Sequence, residues 1–206
     1  QFEVERFHDA YRAFGANFTI GLRNKKWAKE LSLEGYYGDY DNEIQNSQAP
    51  GLINEPQLGI NNAVAGSPFG EVVFTSFSTG ANLHYNLELG KKWAIDLRGG
   101  YNYNERESLD VGNNLYNWFG EVVRIQNQPG EFGPADNLIT KSENVFARQQ
   151  VTFEISKGHS LNLSLAPTYG LRTGDDLLID GPFDPALDEG RLFDFVSGLE
   201  YQAELF

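Results

Sequence analysis

The chain has 206 residues and a formal net charge of −13, with no cysteine and no methionine. Composition therefore excludes disulfide scaffolds, zinc ribbons and thiol nucleophiles, and the acidic balance argues against nucleic acid, whose phosphates demand Lys and Arg. Aromatics make up 14% of the residues, yet no run approaches eighteen apolar residues, so no helical membrane span is expected.

At 23.1 kDa the chain is one domain or a piece of one, and the lack of Met at position 1 suggests a longer product. His8, His84 and His159 lie far apart and in no metal-ligand spacing. No nucleophile–base pair can be assembled from the spacing either, so neither catalysis nor a cofactor is expected.

The elements come as hairpins. Residues 14–23 alternate, with Phe14, Ala16, Phe18, Ile20 and Leu22 on one face. After a basic turn (Arg23-Asn24-Lys25-Lys26-Trp27-Ala28), Leu31, Leu33, Gly35 and Tyr37 continue that face. The turn recurs 66 residues later as Leu89-Gly90-Lys91-Lys92-Trp93-Ala94, between strands carrying Leu83, Tyr85 and Leu87 and then Ile95, Leu97, Tyr101 and Tyr103. A third turn, Ser156-Lys157-Gly158-His159, stands a further 66 on, between Val145–Ile155 and Leu161–Leu171. A seventh strand carries Phe193, Phe195, Leu199 and Tyr201. A period of this length reads as repeated supersecondary units.

The far ends of the strands meet in long loops rich in Gly, Pro, Asn and acid, roughly Asp41–Gly70, Glu105–Asn144 and Thr173–Gly190. In the second, Leu115, Trp118, Phe119, Val122 and Val123 have helical spacing, which predicts a short amphipathic helix. Pro167 removes a ladder donor, so a bulge is expected near it.

Short turns at one end, long loops at the other and alternating segments of about ten residues predict an all-β fold, an antiparallel transmembrane β-barrel. Lipid cannot hydrogen-bond backbone, so strands that cross it pair with one another, one face to lipid and one to the lumen. Trp27 and Trp93 stand beside Lys pairs at one depth, and Tyr37, Tyr103 and Tyr169 ten residues further along, the expected pair of membrane-interface girdles. The lumen face carries Arg23, Glu30, Glu34, Asp96, Arg98, Arg148 and Glu154, where charge is cheap; Lys29 falls on the lipid face near enough to the turn to snorkel.

Girdled hairpins with tall acidic outer loops resemble the barrel of a TonB-dependent outer-membrane receptor. The resemblance covers residues 1–206 as a single barrel segment. It implies the bacterial outer membrane, contact with the lipid bilayer, and part of the wall of an active importer of a large nutrient such as a glycan, peptide or chelate. It also implies a plug and further barrel strands from elsewhere, an inner-membrane TonB-type energy complex, and docking of a surface lipoprotein. No plug or TonB box is visible, and seven strands fall short of the twenty-two or so of such transporters, so a segment is expected.

On that reading Tyr116, Trp118 and Phe119 in the second loop, with Asp96 and Arg98 on the lumen wall, are candidate substrate contacts. The three rings serve equally to anchor their own loop. Asp175, Asp176, Asp180, Asp184 and Asp188 offer oxygens that suit calcium, without the EF-hand spacing. The alternatives are a complete small structural or passive barrel, a soluble all-β binding or adhesion module, and an outer-membrane hydrolase in which His84 would act.

Overall fold

A computed structural model describes residues 7–44, 52–55, 60–64, 70–117, 119–131, 134–178 and 189–204. Seven long strands form one antiparallel sheet: β1 (Tyr11–Lys25), β2 (Ala28–Glu43), β5 (Val73–Leu89), β6 (Trp93–Asp110), β9 (Asp136–Ser156), β10 (His159–Asp176) and β11 (Gly190–Ala203), adjacent in that order. Two small hairpins interrupt the connections, β3 (Leu52–Glu55) with β4 (Ile60–Val64), and β7 (Asn114–Tyr116) with β8 (Val122–Ile125). No helix occurs among the described residues.

The register carries the alternation of single strands into a continuous surface. Ile20 pairs Leu33, Leu33 pairs Leu83, and Leu83 pairs Gly99. Further along, Ile95 pairs Val151, Val151 pairs Leu163, and Leu163 pairs Leu199. Because paired residues project to the same side, every apolar set expected from sequence falls on one face of the sheet. The other face collects Glu34, Asn82, Arg98, Arg148, Gln150, Asn162 and Glu200.

The sheet is not closed. β1 and β11 are its two edges, each exposed along its whole length. Among the described residues the buried hydrophobic side chains are Ala28 and Val72, whereas Ile20, Leu83, Leu163, Phe195 and Leu199 are exposed. The accessible surface is 14488 Å², against about 9,700 Å² for a folded monomer of this mass. Among the described residues no second layer lies against the apolar face.

The turns explain their own repeat. Asn24 and Gly90, equivalent in the two basic turns, have φ of 58° and 65°. Asn is among the few side chains that enter this left-handed region readily. In the third turn the left-handed residue is Gly158, two positions later in the alignment. The chain there closes through a two-residue loop, with a register shift at His159/Ser160.

Three expectations are corrected. The helix over Leu115–Val123 is replaced by the β7–β8 hairpin. The Asn117 side chain accepts from the Phe119 and Glu121 N–H groups, and Gly120 turns left-handed at φ 79°, which closes a tight turn where a helix would need to continue. No bulge forms at Pro167: the ladder to β9 skips Ala166 and Pro167 and resumes unshifted, from Leu165↔Gln149 to Thr168↔Phe146. The connections are also shorter than expected, because the strands continue past the tyrosine level. Residues Asn104 to Asp110 pair Ser142 to Asp136, so much of Glu105–Asn144 is sheet.

Candidate functional site

Two surfaces hold the candidate residues: the polar face of the central strands and the loop-end cluster above β5, β6 and β9. On the polar face, Asp96 of β6 gathers its neighbours. His84 Nε2 lies 2.8 Å from Asp96 Oδ2, Asn86 Nδ2 donates to the same oxygen at 3.3 Å, and Arg98 Nε donates to Oδ1 at 3.1 Å. The sheet makes this arrangement, since Asn86 is the cross-strand partner of Asp96, and His84 that of Arg98. Arg98 is in turn opposite Arg148 of β9, and Gln150 is opposite Asp96. Sequence reading singled out Asp96 and Arg98, and the fold brings them together; it passed over Asn86, Gln150 and Thr152, whose membership follows only from register.

Ser32 of β2 pairs His84 across the ladder and Asp96 lies diagonally across from His84 on β6, so serine, imidazole and carboxylate share one face. Among the described residues, however, the hydrogen bond of His84 is to Asp96, with none to Ser32. The backbone around them is committed to ladders on both sides, which leaves no paired N–H groups for an oxyanion.

Further along the same face, Tyr36 lies over Gly80 and donates to Asn102 Oδ1 at 2.6 Å. A Cβ at Gly80 would come within 2.5 Å of both the Tyr36 hydroxyl and the Tyr101 carbonyl oxygen. The glycine is the space that the ring occupies.

At the loop end, the Glu131 carboxylate accepts from the Gly70 N–H at 2.9 Å and the Glu71 N–H at 3.3 Å. The Glu131 N–H donates to Asp110 Oδ1 at 2.6 Å, and Asp110 is buried. Desolvation raises the Glu131 carboxyl above its ordinary range against the pull of these N–H donors, and the charges of Asp110 and Glu71 add to the rise. Tyr116 belongs to this cluster. Its hydroxyl donates to Glu71 Oε1 at 3.2 Å, its ring lies over Gly70, and Phe7 stands 5.3 Å away. Tyr116 therefore anchors its own loop, whereas Phe119 is 62% exposed. Trp118 lies outside the described residues. No sequence spacing foreshadows this cluster, in which Glu71 and Asp110 stand 60 and 21 residues from Glu131 along the chain.

The residues expected as girdles take defined places on the apolar face. Tyr37 and Tyr103 share one row through Thr79, and rings run across four strands, Phe14–Tyr37 at 6.0 Å, Tyr37–Phe77 at 5.4 Å and Phe77–Tyr103 at 5.9 Å. Tyr169 lies one pleat lower, in the row of Tyr101 through Val145. The Tyr101 hydroxyl donates to Glu143 at 3.0 Å and that of Tyr103 to Glu105, so the ring bodies lie on apolar surface and their tips reach carboxylates. At the turn end Trp27 and Trp93 are exposed, Trp93 packs on Phe153 at 4.4 Å, and Lys29 pairs with Glu88.

Asp175 and Asp176 point to opposite faces, as partners of Ile139 and Leu138. Asp176 Oδ1 accepts from the Asn137 N–H at 3.2 Å and the Leu178 N–H at 3.0 Å. Asp180, Asp184 and Asp188 lie outside the described residues. Among the described residues no group of His, Asp and Glu is placed to hold a metal ion.

No protein-family model matches this sequence, and no curated protein is similar to it.

Proposed function

We propose that this chain is a stretch of the wall of a bacterial outer-membrane β-barrel that serves in import. The observation that carries this reading is the apolar face. Between the Trp93 row and the Tyr103 row, the seven strands present aromatic, aliphatic and small residues apart from Gln149 and from Lys29 beside the turn, and charge returns in the Tyr103 row itself with Glu143 and Arg191. Ten residues at about 3.3 Å each, tilted roughly 40°, cover about 25 Å, which is the height of the apolar band of such barrels. The rings at its two limits suit the lipid–water boundaries.

The topology also says what closure requires. β1 and β11 are first and seventh in an antiparallel sheet, so they run in the same direction. Joining them would make a parallel seam; antiparallel closure takes an odd number of additional strands from another segment. That argues for part of a larger barrel. The resemblance to TonB-dependent receptors adds energised uptake, a plug and a nutrient ligand. Their test is fractionation of the parent cells: recovery with outer-membrane markers and extraction only by detergent are expected, and recovery in the soluble fraction would sink the proposal.

On this reading the wall catalyses nothing, and the His84–Asp96 pair organises its polar side. An esterase or lipase screen checks this; an activity of the purified protein that His84→Ala abolishes would refute it.

A further inference from the structure

We propose that Arg98 and Arg148 form a binding site for a carboxylate monoanion on the polar face of β6 and β9. The two guanidinium groups stand directly opposite each other in the ladder, an arrangement in which like charges disfavour the pairing unless something lies between them. Arg98 spends one N–H on Asp96. Among the described residues Arg148 has neither an ion pair nor a hydrogen bond. Its charge is unanswered.

The space beside the pair is a cleft of about 300 Å³, lined also by Ala94, Asp96, Asn86, Gln150 and Thr152; the Asn86 amide donates to Asp96, while Gln150 and Thr152 offer neutral donors. A planar oxyanion suits two guanidinium forks, each able to donate two parallel N–H bonds. The charge count selects the ligand. Two arginines less Asp96 leave one positive charge, which a single carboxylate neutralises. A dianion would keep an excess negative charge in a chain whose balance is already −13. The cleft therefore favours a carboxylate over a phosphate dianion. The site needs the polar face to meet water and stands whether or not the sheet is part of a closed barrel.

The test is a titration of the whole protein in detergent micelles at pH 8, with sodium acetate in one arm and sodium phosphate in the other. Chloride holds the ionic strength constant, and the arginine Nε–Hε resonances are read. Two of these resonances, assigned through R98K and R148Q, are expected to shift saturably with acetate and with one common constant. Phosphate should bind more weakly, and R148Q should abolish saturation while leaving the backbone amide spectrum in place. R148K keeps the charge without the fork, and acetate should bind it severalfold more weakly than wild type. This second variant keeps the test decisive if R148Q does not fold. A uniform drift of all arginine resonances, saturation that survives in R148Q, undiminished affinity in R148K, or tighter binding of phosphate would each overturn the proposal.

Discussion

At the scale of single residues, what a side chain does here is set by its neighbour across the ladder more than by its neighbours in sequence. Gly80 is an example: it reads as a small residue in an alternating strand, yet its missing side chain is the space under Tyr36. Gly80→Ala should destabilise the protein by about 1–3 kcal/mol, since one obstructing atom is backbone and cannot move aside; denaturant unfolding in micelles measures it. Glu131 carries a pH signature. Its carboxyl is raised by burial, so its protonated form favours the folded loop. The contribution is complete below the ordinary value of 4.5 and is lost as pH climbs through the raised value. Hydrogen-exchange protection of the Glu131 N–H, corrected for intrinsic rate, should therefore fall as pH rises through this window. Glu131→Gln should flatten that dependence. A slope of the opposite sign would show that the N–H donors outweigh desolvation.

At the scale of elements, the strands were legible and the loops were not. Period-two alternation runs through Phe14–Leu22, Leu83–Leu87 and Ile95–Tyr103 because one face of the sheet is apolar throughout. Where both faces are polar, as in Asn104–Asp110, the alternation fades and the strand continues unannounced. The helix expected over Leu115–Val123 failed because a few apolar residues fit helical spacing by chance, while Asn117 and Gly120 decided the turn locally. The repeated basic turns hold a further consequence. Asn24 and Gly90 occupy the same left-handed position, so Gly90→Val should cost about 1–2 kcal/mol, and Asn24→Gly should be close to neutral. The two unfolding midpoints check this; equal effects at both sites would mean that the turns are not equivalent. Of the candidate site, Asp96 and Arg98 could be found from the polar phase of β6. Arg148 became their neighbour only through a register that spans about fifty residues of sequence.

At the scale of the whole molecule, the sheet exposes many large apolar side chains, most of them on one face. The proposed lipid-facing wall accounts for this sidedness, for a band whose interior carries charge only at Lys29 beside the turn, and for the aromatic limits together. It predicts a sharp contrast between neighbours on β5. Leu83→Arg puts a charge at the middle of the band and should cost about 2–4 kcal/mol of folding free energy in a bilayer. Asn82→Arg faces Glu34 across the ladder and should change stability by about 0.5 kcal/mol or less. Similar costs at the two positions would argue for two water-facing surfaces.

The most direct measurement is a nitroxide scan of residues 81–87 in lipid vesicles, reading collision with dissolved oxygen and with a water-soluble nickel chelate. Labels at 81, 83, 85 and 87 should favour oxygen, and labels at 82, 84 and 86 should favour the chelate, with a period of two. Equal access of the chelate to both sets would contradict a wall that faces lipid on one side.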